Sequence, residues 1–372
     1  VKQNWREAVK WYRKAAELEL PRAQCNLAWC YEHGKGVEQN LAEAVAWYRK
    51  AADQGNPRGL FCMARAYDYG LGVEQDAKEA VQWYQKAAQA GSAPAMCDLG
   101  VCYERGEGIE QDMDRAAELY RKAAELGNAP GQCNLGFCYE TGRGVEQSWE
   151  EAVRWYRAAA EQEMPRAQCN LAWCYEHGKG VEKNEKRALA WYQKAADQGD
   201  PRGMYCVGRA YDYGRGTERD IKAAVGWYQK AAEAGSVSAM CDLGVCYERG
   251  EGVEQNLEKA VELYRRAAER GDATGQCNLG HMYESGRGVA KDWVQAAKWY
   301  GAAAEQGSPR AQYHLAWCYE HAAGVQQDLT KALALYEAAA AQQYEDAEKQ
   351  VQRLRKPPEK GKFLRGLFGR HG

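Results

Sequence analysis

No stretch of this 372-residue chain approaches the roughly 20 apolar residues that a membrane-spanning helix needs, and no apolar signal core opens it. Charge of one sign is lacking too. Lys plus Arg number 50 and Asp plus Glu 52, a net charge of −2, so there is no cationic excess to condense on phosphate, and nucleic acid is set aside as a main partner. Catalytic signatures are missing as well. There is no Ser-x-x-Lys, no phosphate-binding loop and no nucleophile elbow, and the few serines, Ser92, Ser148, Ser236, Ser238, Ser285 and Ser308, read as turn or cap residues. His33, His177 and His321 lie 144 residues apart, and Cys30 with His33 offers two ligands where a closed zinc site takes four. No catalytic residue, metal site or cofactor is therefore assigned.

What the chain does contain is repetition. The string AQCNLAWCYEHGKGVE beginning at Ala23 returns letter for letter at Ala167, and shorter echoes run at every multiple of 36 residues. Self-similarity at such a period marks a solenoid, in which each unit buries its apolar face only against its neighbours. In one unit Ala23, Leu27, Cys30 and Tyr31 recur at helical spacing as a buried stripe, which predicts a first helix, A. Gly34 closes it in a left-handed conformation. Asn40, Asp76, Asp112, Ser148, Asn184, Asp220, Asn256, Asp292 and Asp328 each stand at the N-cap of a second helix, B, with Glu43, Glu79 and Glu151 completing capping boxes. Helix B buries Ala44, Tyr48, Ala51 and Ala52. Trp47 and its counterparts give way to Leu119, Leu263 and Leu335, which marks that position as packing.

Cysteine is abundant, with 14 residues. Equivalent positions on stacked helices lie about 9 to 10 Å apart, beyond the Cα reach of a disulfide. The favoured reading is buried, reduced thiols in a cytoplasmic protein; the alternative is a disulfide-stapled secreted array. Val1-Lys2-Gln3-Asn4 aligns with Val37 to Asn40 inside a unit, so the array begins half a unit in. Either an upstream portion is missing or the first helix is an unpaired cap, and a signal peptide on a longer product stays open.

The run A-x3-L-[GA]-x2-Y-[ED]-x-G-x-G-V-x-x-[DN]-x3-A-x2-W-Y-x-x-A-A-x-x-G resembles the Sel-one-like repeat, a relative of the tetratricopeptide repeat. It covers residues 1–343 with nine helix-A positions. The resemblance implies an all-α fold, an α-solenoid of antiparallel helix pairs in a right-handed superhelix, with A helices lining a concave groove and a role as scaffold or adaptor. Ala322 replaces a loop glycine, Thr217 a loop valine, and Glu19, Glu163 and Gln343 the glycine after helix B, which puts local turn geometry in question. Residues 344–356 read as a C-terminal capping helix. Residues 357–372 form a basic and apolar tail that suits contact with a partner or an anionic membrane surface.

Alignment with tetratricopeptide positions places residues 22, 25, 29, 32 and 33 of the first full unit on the concave side. Position 29 varies most: Trp29, Arg65, Val101, Phe137, Trp173, Arg209, Val245, His281 and Trp317. Trp and Arg are enriched at binding hot spots, so the expected protein-binding residues are Arg22, Trp29, His33, Arg58, Arg65, Tyr69, Phe137, Trp173, His177, Arg209, Tyr213 and Trp317, taking a peptide or protein segment. The competing reading packs Trp29 on Arg65 of the next repeat. A carboxylate in every unit, Glu32, Asp68, Glu104 and their counterparts, reads as holding the loop or an adjacent Arg, and leaves the groove mixed in sign. The expected function is a non-catalytic interaction scaffold; the alternatives are a spacer without ligand, or a hydrolase-like binder of β-lactams or cell-wall fragments.

Overall fold

The computed structural model describes residues 4–344 and 346–355, and every element among them is helical. The helices run α1 Trp5–Glu17, α2 Pro21–His33, α3 Leu41–Asp53, α4 Pro57–Tyr69, α5 Ala77–Gln89, α6 Ala93–Arg105, α7 Met113–Glu125, α8 Ala129–Thr141, α9 Trp149–Glu161, α10 Pro165–His177 and α11 Glu185–Asp197. They continue with α12 Pro201–Tyr213, α13 Ile221–Glu233, α14 Val237–Arg249, α15 Leu257–Glu269, α16 Ala273–Ser285, α17 Trp293–Glu305, α18 Pro309–His321, α19 Leu329–Ala341 and the short α20 Ala347–Arg355. From α1 to α19 the odd-numbered members are B helices and the even-numbered ones A helices.

Local chemistry sets these boundaries. The N-cap side chains accept from backbone N–H groups in the first turn of each B helix, as Asn40 Oδ1 does from Glu43 N at 3.0 Å, satisfying donors that have no intrahelical partner. Each A helix ends on a left-handed residue, a glycine in eight repeats and Ala322 at φ 56° in the last. Glu19, Glu163 and Gln343 likewise take positive φ, 59°, 62° and 60°. The substituted turns thus keep the glycine geometry and carry the strain of a left-handed non-glycine residue.

Two compact units divide the chain, Val1–Gln198 and Gly199–Gly372. In the first, α1 to α11 stack in sequence order, and buried Ala pairs of the B helices let neighbours approach while tyrosine rings fill the space beside them. Tyr84, Tyr120 and Tyr156 are fully buried there. Consecutive A helices touch directly, α2 with α4 and α6 with α8, more closely than consecutive B helices do. Buried glutamines tie the layers: Gln132 Nε2 donates to Ala124 O at 3.2 Å while its Oε1 accepts from Gln162 Nε2 at 2.8 Å. The second unit repeats the plan with Tyr228, Tyr264, Tyr300 and Tyr336 at its centre. There α20 packs on α19, buries Val351 and sets Arg353 against Glu320. The tail expected over 357–372 lies outside the described residues.

All 14 cysteines are free thiols, 12 of them buried and Cys62 and Cys206 half-buried. Burial pushes the thiols of Cys97, Cys138 and Cys174 up to about 12, so they sit in the structure as protonated, unreactive packing groups. No helix among the described residues is long and apolar enough to cross a membrane.

Candidate functional site

On each A helix one stripe is least covered. In α2 it is Arg22, Asn26, Trp29 and His33, spaced four, three and four residues apart as neighbours on one helix face. In α4 it is Arg58, Cys62, Arg65 and Tyr69. This corrects the expected concave positions: Cys25 is fully buried and position 26 stands in its place, while Glu32 turns partly inward. One residue along a helix rotates the side chain by about 100°, far enough to exchange an exposed face for the core, and the tetratricopeptide alignment was off by that one residue at this point.

The carboxylate beside the stripe has a partner that sequence reasoning missed. Tyr48 donates its hydroxyl to Glu32 Oε2 at 2.6 Å, Tyr120 to Glu104 at 2.6 Å and Tyr156 to Glu140 at 2.5 Å. The same bond recurs in all nine repeats. It joins helix A to the buried helix-B tyrosine 16 residues on, where the expectation was a loop or an arginine. The constant 16-residue offset between the acid and the tyrosine was the available signal. The loop is held instead by Gln39 Nε2, which donates to the backbone Glu32 O at 2.8 Å. Burial first, and the adjacent Glu140 carboxylate second, raise the phenol of Tyr156, so the tyrosine stays the donor.

The position-29 tryptophans are half-buried and stacked. Trp29 lies 5.5 Å from Trp5 and 4.6 Å from His33, centroid to centroid. Trp173 stands 5.7 Å from Trp149 and 4.3 Å from His177, and Trp317 stands 5.0 Å from Trp293 and 4.3 Å from His321. In each trio the histidine Nδ1 meets the tryptophan carbonyl, at 3.0, 2.9 and 3.0 Å, which fixes the ring and leaves Nε2 as its outward nitrogen. Trp29 thus packs on Trp5 of the preceding B helix rather than on Arg65. Trp5, Trp149 and Trp293 went unremarked in the sequence although they share the 144-residue spacing, because they occupy the first residue of helix B, where other units carry Leu41, Ala77 or Met113.

Arg65 is exposed and lies over Tyr69 at 5.7 Å, and Tyr69 is 60% exposed. Arg209 sits between Tyr205 at 5.9 Å and Tyr213 at 5.5 Å, with Tyr213 58% exposed. Phe137 is half-buried with Arg143 above it at 6.0 Å. Arg58 donates to Asn26 Oδ1 at 3.0 Å, and exposed Arg22 stands at the start of α2. The structure therefore brings Arg22, Trp29 and His33 onto one face with Arg58 against it, and sets Arg65 and Tyr69 on the equivalent face of α4.

Unusual electrostatics mark one stripe position and one of the acids beside the stripe. Asp98 stands where four repeats have asparagine; burial and then the neighbouring Asp68 push its carboxyl up to about 6, with Arg65 partly offsetting them. A raised folded-state value means that the charged form costs stability above it, and that the cost vanishes once the carboxyl is protonated in both folded and unfolded chains. Asp98→Asn should therefore stabilise the protein by up to about 3 kcal/mol at pH 8 and by nothing near pH 3. Urea midpoints measured across that range check it; a gain independent of pH would remove the carboxylate as its cause. In the second unit Glu284 accepts from Tyr300, with His314 Nδ1 at 3.3 Å and His281 Nδ1 at 3.9 Å. Burial works against its charge, and the two imidazoles and the hydroxyl outweigh it, holding the carboxyl below the usual range. Among the described residues no group of three or more metal-ligating side chains is disposed to hold an ion.

The family model described as "Sel1 repeat" matches residues 1–20, 21–56, 58–92 and on in register to 309–344. Among solved structures, a protective antigen of uropathogenic Escherichia coli displaying the SLR fold is 38% identical, covers 95% of this chain and 76% of its own, and superposes with a TM-score of 0.75. A Sel1 repeat protein from Oxalobacter formigenes is 28% identical over 83% of this chain and 89% of its own, with a TM-score of 0.61. None of the curated proteins compared matches the chain.

Proposed function

The chain belongs to the Sel1 repeat family, an α-solenoid commonly used as a protein-interaction scaffold, and from that premise we propose that it binds a peptide or protein segment along the exposed stripe of its A helices. One observation carries this reading: large aromatic side chains stay half-exposed on that stripe at Trp29, Phe137 and Trp173, the two tryptophans pre-set by stacking on His33 and His177. Rigid aromatic surface loses little conformational freedom on binding, and tryptophan is the side chain most often found to dominate an interface. The four-repeat spacing of Trp29 and Trp173 adds that a partner with two motifs would engage both and gain through effective concentration. Binding without catalysis, in the cytoplasm, is part of the reading.

Self-stacking of the trios favours a second reading, a spacer whose tryptophans serve stability alone. Affinity purification with wild type against Trp29→Ala, Trp173→Ala and the double variant separates the two. Each single change is expected to cost about 2 kcal/mol of partner affinity, roughly thirtyfold, and the pair more than the sum, with helicity by circular dichroism retained. Variants that melt earlier yet hold every partner at wild-type level would leave the spacer reading.

A further inference from the structure

We infer that the segment taken up by the stripe is acidic: its Asp or Glu carboxylates are received by arginines that the solenoid orients but does not neutralise. The inference rests on the proposed peptide-binding role and names the chemistry of the partner. Along the stripe of the first unit stand five guanidinium groups, Arg22, Arg58, Arg65, Arg105 and Arg166, against one carboxylate, Asp98, in a chain whose net charge is −2. The recurring carboxylates nearby lie half-buried, each accepting a hydrogen bond from a tyrosine hydroxyl beneath the surface.

How the arginines are held matters more than their number. Arg58 Nη1 donates to Asn26 Oδ1 at 3.0 Å, Arg166 Nη1 to Asn134 at 3.3 Å and, in the second unit, Arg310 Nη1 to Asn278 at 3.1 Å. A neutral amide oxygen fixes one corner of the fork and leaves its charge uncancelled, with the remaining N–H groups free for two-point contact with a carboxylate. By contrast Arg105 reaches Glu107 at 3.6 Å, the ordinary exposed ion pair. Each anchoring asparagine lies one helical turn before the ring or imidazole of its own stripe: Asn26 before Trp29, Asn134 before Phe137, Asn278 before His281. The repeated element is thus an oriented guanidinium beside an aromatic surface, which matches an extended segment alternating acidic with aromatic or aliphatic residues.

The test uses two synthetic peptides on the full chain, one alternating Glu with Phe and Gly and the other with Lys in place of Glu, followed by fluorescence anisotropy. The acidic peptide is expected to bind at least about tenfold more tightly than the basic one, to weaken as salt rises, and to lose about tenfold or more with Arg58→Gln plus Arg166→Gln. Arg58→Lys plus Arg166→Lys should fall between, since charge remains while the fork is lost. Both positions are exposed, and an unchanged melting curve verifies the fold. Equal binding of the two peptides, absence of acidic-peptide binding, or full binding by the glutamine variant overturns the inference. If the glutamine variant binds normally while Trp29→Ala plus Trp173→Ala does not, the stripe still binds segments and only the acidic partner is lost; if neither variant matters, the stripe itself is refuted.

Discussion

Replacing Gly144 by alanine is expected to destabilise the first unit by about 4 kcal/mol, whereas the same change two residues earlier, at Gly142, costs about 1 kcal/mol. Both glycines follow α8 and both have positive φ, 67° and 72°. What differs is the neighbourhood. A Cβ on Gly144 would lie 2.1 Å from the backbone oxygen of Met113, the first residue of α7, and 2.9 Å from Ala117 Cβ. Backbone cannot swing aside as a side-chain tip can, so the loop or the start of α7 must move and the contact between successive repeats opens. A Cβ on Gly142 meets nothing nearer than Gln147 Cβ at 3.3 Å, and Ala322 occupies the same position in the last full repeat. Urea unfolding of the two variants side by side makes the comparison. Equal losses would mean that the left-handed φ alone makes these glycines necessary and that the close approach is unimportant.

Tyr156→Ala is expected to cost about 4 kcal/mol, as befits emptying a fully buried aromatic site in a closely packed core. Tyr156→Phe separates the hydroxyl from the ring. It preserves the packing and leaves the half-buried Glu140 carboxylate without its donor, for about 2 kcal/mol. The partner change Glu140→Gln keeps an acceptor for the hydroxyl and should lose less. A double variant, Tyr156→Phe with Glu140→Gln, should then lose less than the sum of the two single changes. Additive losses would show that the bond contributes nothing and that the carboxylate is satisfied by water. Because stability in a solenoid is shared between neighbouring repeats, the losses are best read from hydrogen exchange in α8 and α9 alongside the global midpoint.

Much of the fold was legible in the residues. A 36-residue period, a cap residue at each helix-B start and a glycine at eight of the nine helix-A ends specify local conformations that neighbours in sequence can enforce without help. Twelve of the 14 cysteines are the buried thiols expected, a reading available because apolar residues, Ala66, Ala210 and Met282, alternate with them at one position. The site was less legible. Position 25 was placed in the groove although it is core, the partner of Glu32 was assigned to the loop or an arginine, and the packing alternative for Trp29 named Arg65 where Trp5 stands. Each error concerns which residue a side chain meets across helices, a matter of rotation by a fraction of a turn.

The sequence by itself determined that this protein is a tandem array of helix pairs of the Sel1 kind, where its helices begin and end, and which residues vary from one repeat to the next, since these follow from backbone preferences and periodicity along the chain. Only the tertiary structure decided which variable residues remain at the surface, that the recurring acids are bound to tyrosines below, and that Asn26, Asn134 and Asn278 hold arginines one repeat ahead. Those pairings join residues 16 to 32 positions apart, and they exist only once packing has set the distance and angle between separate helices.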